Sequence, residues 1–413
     1  MTQDIDHLGV QLYEPGGSWV DVGVLHRAGE HSWFESTDAY WNVSNRPVLG
    51  QVFEEHGPGW KPDALVRLPR WFSHLLPEGR LREAVAESAG VKSEREFFLL
   101  ARIGGDDLPG GVRVFASNAD GSEPDSSSEE SHGPTEHDLG PLKFSLAGVQ
   151  LKFSVRETNR GLTIPTRGQD GDWIVKLPDL RTGFEHVPEA EFAGLELARA
   201  SGIRTAEARL VDVADIARLP TWATVGGGQA LAVRRFDRTE GGGRVHVEEL
   251  AQVLNLPTGQ QKFKYNGANF ETVARATFSL CGTGALEEVI DRIVLNVLIG
   301  NGDAHAKNWA YTYPDGRHTA LSPAYDIVPT VLYVQDDDLG LNLARSKSFE
   351  RVRLEAFERL AEKAGSDGPA ARRRAEDAVQ RVLESWPVLS EILPVEKVTR
   401  LTERRDALLL AKG

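Results

Sequence analysis

Apolar and polar positions alternate along the first part of the chain in two different periods. Val10-Gln11-Leu12-Tyr13 and Trp19-Val20-Asp21-Val22-Gly23-Val24-Leu25 repeat every second residue, which predicts two strands joined across Glu14-Pro15-Gly16-Gly17. Trp71 to Arg80 leads into a helical stretch ending near Ser88-Ala89-Gly90. A second helix is predicted from Ser93 to Ile103, with Glu96 completing a capping box on Ser93 and Gly104-Gly105 as the stop. The aromatic and leucine positions here read as core, and His74 beside Leu75 as a packed histidine.

Further strands are expected at Phe144 to Val155, broken by a tight turn at Ala147-Gly148, and at Trp173-Ile174-Val175-Lys176-Leu177, an apolar run holding one lysine. Pro188 to Gly202 is an amphipathic helix with Phe192, Leu195, Leu197 and Ala198 apolar, expected to pack on the sheet. Strands follow at Arg204 to Val213 and Gln229 to Phe236. Beyond them the period becomes helical: Leu286, Val289, Ile290, Ile293, Val297 and Leu298 mark a buried helix. Leu354 to Glu362, Ala370 to Trp386 and Val395 to Leu410 are helical too, with Arg372, Arg373 and Arg374 read as a solvated face. Between them, Trp309 to Tyr313 and His318 to Leu321 form a hairpin around Pro314-Asp315-Gly316, glycine supplying the positive φ.

Composition narrows the class. A chain of 413 residues exceeds one typical domain, and 40% hydrophobic with 26% charged residues is globular and soluble. One cysteine, Cys281, excludes a disulfide framework or cysteine metal cluster and fits a reducing cytoplasmic setting. No apolar run is long enough for a membrane span, and the N-terminus lacks a signal pattern. A net charge of −14 argues against a large nucleic-acid surface of the chain's own. Residues 117–138 carry seven carboxylates and no Lys or Arg, the composition of a disordered linker. Its serines 126–128 could be phosphorylated, though such runs more often only link. The division expected is therefore 1–116, the linker 117–138, then 139–236 and 237–413.

The candidate chemistry lies in LIGNGDAHAKNWAYTYPDGRHTALSPAYDIVPT, residues 298–330. Asp303 is followed five positions later by Asn308 and, past the hairpin, by Asp326. Protein kinases place a proton-accepting Asp, a magnesium-binding Asn and a second metal-binding Asp in this order. Magnesium prefers hard oxygen ligands, and the base has to stand apart from them. Alone, the spacing reads equally as a capped turn. Upstream, Lys176 interrupts an apolar strand and Glu191 follows on a helix, the arrangement of a kinase lysine strand and its helix glutamate. The Ala147-Gly148 turn with Lys152 beyond it could let backbone N–H groups approach a phosphate, though it also reads as an ordinary hairpin. Four weak signals in kinase order are far less probable together than singly.

At this point the chain resembles the HipA-like serine/threonine kinases of bacterial toxin–antitoxin systems, over nearly its whole length. WFSHLLPEGRLRE and LLARIGGDDLPGGVRV are similar to the family's N-terminal domain, SLAGVQLKF to its phosphate loop and WIVKLP to its lysine strand. LAVRRFDR is similar to its hinge, and IGNGDAHAKN with LSPAYDI to its catalytic core. The resemblance implies an α+β, protein-kinase-like bilobal fold with an additional N-terminal α/β subdomain and an all-α C-terminal lobe. It implies Asp303 as catalytic base, Asn308 and Asp326 as Mg2+ ligands, and Lys176 on the ATP α/β-phosphates with Glu191 as its ion-pair partner. Ala147, Gly148, Val149, Gln150, Leu151 and Lys152 would hold the phosphate tail, Arg234, Arg235 and Phe236 the adenine, with Tyr325 on the base and His305 near the phosphates. Ser145 matches the family's autophosphorylated off-switch serine. Arg234 stands where some members carry an acidic residue, and the linker is an insertion. The implied partners are an aminoacyl-tRNA synthetase as substrate and a helix-turn-helix antitoxin that carries the toxin to operator DNA; no membrane is involved. A small-molecule phosphotransferase and a catalytically silent corepressor are the alternatives.

Overall fold

The computed structural model describes residues 5–105, 107–123, 151–159, 161–165, 169–179, 181–219, 223 and 227–412. The chain begins with β1 (His7–Tyr13), β2 (Trp19–Ala28), β3 (His31–Ser36), β4 (Asp63–Leu65) and, much later, β5 (Val112–Ala116). These form one sheet in the order β4-β3-β2-β1-β5. Every pairing is antiparallel, so this body is α+β rather than the α/β expected: short hairpins, not crossover helices, join its first strands. Leu8, Phe34, Trp71, Phe72 and Phe98 are buried between the sheet and the helices Gly79–Ala89 and Glu96–Ile103. The second helix starts later than expected and has no capping box. Glu96 is instead fully buried, accepting from Arg67 (2.8 Å), Arg82 (2.6 Å) and the Leu68 N–H (3.0 Å). A charge-paired interior site satisfies that carboxylate more fully than a frayed helix end. Of the expected linker only residues 117–123 are described, and these close a turn, with Asn118 N donating to Ser122 O at 2.9 Å.

The second sheet contains β6 (Lys152–Thr158), β7 (Gly161–Thr163), β8 (Trp173–Lys176), β9 (Ala208–Asp212) and β10 (Gln229–Arg234), in the order β7-β6-β8-β10-β9. β10 shows why an unbroken apolar run, Ala230 to Val233, is needed at its place. Ala230 and Ala232 face the small core of this sheet, while Leu231 and Val233 face the large core of the following lobe. The helix Val187–Ala200 lies on that second face.

The remaining chain is mainly helical: Phe270–Cys281, Thr283–Ile299, Leu354–Ala364, Gly368–Ser385 and Val395–Ala407. It is not all-α. β11 (His246–Glu249), β12 (Ala310–Tyr313) and β13 (Ala320–Leu321) form a third sheet. The β12–β13 hairpin follows the sequence pattern, with Gly316 at φ +80°; β11 escapes it because His-Val-Glu-Glu carries no apolar alternation. Thr283–Ile299 is buried nearly all round from Val289 to Ile299, which makes it an interior rod rather than a surface helix. It ends at Gly300, left-handed at φ +78°, and hands the chain to the Asp303 loop. Arg374 is not merely solvated: its guanidinium grips the buried Asp291 on that rod at 2.8 and 2.6 Å.

Candidate active site

One wall of the cleft centres on Lys176. Its Nζ lies 2.6 Å from Glu191 Oε1 and is also hydrogen-bonded to Asp326 Oδ1. Lys152 sits directly opposite Lys176 across the β6–β8 ladder, so two ammoniums share one face of the sheet. Like charges so placed repel, and the Asp326 carboxylate relieves this pair. Burial would raise the Asp326 pKa, but the Lys176 and Lys152 ammoniums hold it well below the ordinary carboxylate range. Burial likewise would lower Lys176, yet Asp326 and Glu191 hold it above its ordinary value. One ammonium cannot neutralise two carboxylates. The deeper one, Glu191, 1% exposed and with Oε2 unpartnered among the described residues, is pushed up by burial to about 7. Gly194, one turn past Glu191, makes this convergence possible: a Cβ there would overlap the Ile327 carbonyl beside Asp326. Asp326 itself is left-handed at φ +53°, a strained conformation for a residue with a side chain.

The opposite wall is the loop after Gly300. Asn301 Oδ1 accepts from Asp303 N at 3.0 Å, while Asn301 Nδ2 reaches Asn296 Oδ1 (3.0 Å) and Asp326 O (3.3 Å), tying the two walls together. Asn308 Nδ2 donates to Asp303 O at 2.8 Å, and His305 N to the same oxygen at 2.7 Å. Asp303 is half-exposed, and its Oδ1 accepts a hydrogen bond from the Tyr265 hydroxyl. His305 Nε2 is 3.8 Å from Asp303 Oδ1; burial pushes this imidazole down to about 4. Lys307 turns away from the cleft to Glu78 (2.9 Å) and Glu249 (3.4 Å), and Tyr325 donates to its carbonyl at 2.8 Å.

Phe236 and Tyr325 are brought into ring contact, centroids 5.5 Å apart at 39°, as one aromatic platform. The side chains of Arg234 and Arg235 are engaged elsewhere than with one another or with that pair. Arg234 points outward to Glu207 and Glu240, at 3.1 and 3.4 Å. Arg235 is buried between Asp107 (2.7 Å) and Asp237 (2.8 Å), and its N–H is taken by Asp172 O. Arg238 joins the same knot, bridging Asp107 and Asp237. A guanidinium fork between two carboxylates is worth more there than facing a base. Ser145, Ala147, Gly148, Val149 and Gln150 lie outside the described residues; Leu151 accepts from Leu177 N at 2.8 Å, fixing the strand into which that segment leads. Sequence reasoning missed Tyr265, Glu78, Asn301 and Lys307. Asn301 and Lys307 stood inside the catalytic motif, whereas Tyr265 and Glu78 had no local signal.

The donor set fits a hard cation. Asn308 keeps its amide oxygen free of hydrogen bonds among the described residues, Asp326 keeps Oδ2, and both residues line one cavity. One carboxylate and one amide oxygen match magnesium held jointly with phosphates rather than caged by protein alone.

Comparisons with known proteins identify the family. The HipA-like C-terminal domain matches residues 144–386, more than half of the chain, and the HipA N-terminal domain matches 18–115. The chain belongs to the HipA-like kinase family. It is 39% identical to Y4dM of Sinorhizobium fredii, named as a kinase, over 88% of each chain. It is 25% identical to the serine/threonine-protein kinase toxin HipA of Shewanella oneidensis, over 77% of this chain and 78% of that one. The fold is that of the solved Shewanella oneidensis HipA, in complex with HipB and operator DNA, with a TM-score of 0.71 at 18% identity over 98% and 96% of the two chains.

Proposed function

We propose that the chain is an ATP- and Mg2+-dependent protein serine/threonine kinase acting as the toxin of a toxin–antitoxin pair. The observation that carries this reading is the Lys176 ammonium shared by Glu191 and Asp326, with Asp326 lining one cavity beside Asn308 and tied through Asn301 to the Asp303 loop. Lys176 is the cation for the α/β-phosphates, and the Phe236–Tyr325 pair is the apolar platform against which the base packs. Asn308 and Asp326 would hold Mg2+, which when bound supplies charge neutralisation on the phosphates. Asp303 accepts the proton of a serine or threonine hydroxyl as its oxygen bonds to the γ-phosphorus, the β–γ bridging P–O bond breaks and ADP leaves. Most of the acceleration then comes from positioning and electrostatics. An aminoacyl-tRNA synthetase is the proposed substrate and Ser145 the proposed autophosphorylation off-switch. A helix-turn-helix antitoxin is the partner that brings the complex to operator DNA; the chain's −14 charge suits a basic partner making the DNA contact.

The test is intact mass of the phosphatase-treated protein after Mg-ATP, wild type beside Asp303→Asn. The expected result is one added phosphate on wild type alone, mapping to Ser145. Equal phosphate gain by Asp303→Asn, or none by wild type, overturns the reading.

A further inference from the structure

Around the proposed base, one contact has no counterpart in the motif itself. Tyr265 reaches Asp303 from thirty-eight residues upstream, at the end of a segment that the N-terminal body holds in place. Arg70 donates to Asn255 O (3.2 Å), Ser73 to Thr258 Oγ1 (2.8 Å), His74 pairs with Leu256 O (3.0 Å), and Glu78 meets Lys264 at 3.4 Å. The Tyr265 ring stands edge-on to His305 at 5.2 Å, with the Lys264 and Lys347 ammoniums 5.5 and 5.8 Å from its centroid. The ring is therefore fixed on several sides and its hydroxyl has one direction to point.

Asp303 is pinned at its backbone by Asn301, His305 and Asn308, but backbone pinning leaves χ1 and χ2 of the carboxylate free to rotate. Among the described residues Tyr265 is the hydrogen-bond donor that fixes that rotation, through Oδ1, leaving Oδ2 without a hydrogen bond. We propose that Tyr265 is the positioning residue of Asp303, holding Oδ1 so that Oδ2 faces the incoming substrate hydroxyl, and that the N-terminal body contributes to catalysis by seating it. Burial and the neighbouring Asp303 hold the phenol well above its ordinary pKa, so it stays a neutral donor. The inference rests on Asp303 being the base. A rotation lost at a catalytic group costs turnover and leaves nucleotide affinity alone, because Tyr265 acts on no part of the Lys176, Asp326 and Phe236 wall.

The experiment compares phosphatase-treated wild type, Tyr265→Phe and Asp303→Asn as full chains, reading single-turnover phosphate incorporation from Mg-ATP and the Kd of a fluorescent ATP analogue. Tyr265→Phe keeps the ring packing and removes only the donor. Expected is a tenfold to hundredfold slower transfer with Kd within twofold of wild type. A Tyr265→Phe rate equal to wild type overturns the inference while Asp303→Asn inactivity keeps the base assignment. A faster rate also overturns it, making the hydroxyl a plug, as does label on Tyr265 itself, making it an acceptor. Full activity of Asp303→Asn removes the functional reading and this inference together. A weakened Kd in Tyr265→Phe marks a merely structural role and likewise overturns it.

Discussion

Lys176 and Lys307 are the same device put to two uses. Each is a buried ammonium between two carboxylates: Glu191 and Asp326 for the first, Glu78 and Glu249 for the second. Burial opposes the charge of each lysine, and the paired carboxylates hold both above their ordinary pKa. They differ in what the carboxylates do otherwise. Asp326 lines the cavity beside Asn308 and has an oxygen to spare, so Lys176 lies where phosphates can compete for it. Glu78 comes from the N-terminal body and Glu249 from the end of β11, so Lys307 ties the catalytic loop to two distant elements. A buried lysine between acids is thus not diagnostic of catalysis. What distinguishes the two is whether one of the partners opens on a cavity.

Three substitutions would sharpen or break that comparison. The largest effect is expected from Lys176→Met, which should slow phosphoryl transfer by about a hundredfold to a thousandfold, the usual cost of one electrostatic donor. Its melting temperature should move little, because Glu191, already pushed up to about 7, can take up a proton when its ammonium is removed. Single-turnover kinetics beside a thermal melt would check this, and equal loss of both would make Lys176 another clamp. Next comes Glu78→Gln, which replaces a charged partner of Lys307 by a neutral one. Urea unfolding should show about 1–2 kcal/mol lost, since Glu78 is partly exposed, with transfer slowed less than in Lys176→Met. A larger kinetic than stability effect would reverse the roles assigned to the two lysines.

The smallest effect is a pH slope. Glu191 has a folded pKa of about 7 against an ordinary 4.5, so between these values the native state binds more protons than the unfolded one. Its contribution to stability is present below about 4.5 and is lost as pH rises toward 7, by at most about 1.4 kcal/mol per pH unit. Glu191→Gln should remove that downward slope in urea titrations from pH 4.5 to 7; an unchanged slope would show that Lys176 neutralises both carboxylates.

Sequence alone determined what repeats locally. Alternation marked β1 and β2, apolar runs marked β8 and β10, the 3.6-residue period marked the interior rod Thr283–Ile299, and residue type at short spacing marked Lys176 with Glu191 and Asp303 with Asn308. Those features are legible because strand and helix periods bind neighbours along the chain. Tertiary structure alone decided the partners. Glu96 left its expected cap for Arg67 and Arg82, Arg235 turned from the cleft to Asp107 and Asp237, and β11 became a strand by pairing with β12. Glu78 reached Lys307 across 229 residues and Tyr265 reached Asp303 across 38. A charge or hydroxyl carries no signature of its partner in the local pattern, because what it pairs with is fixed only when burial makes leaving it unpaired costly.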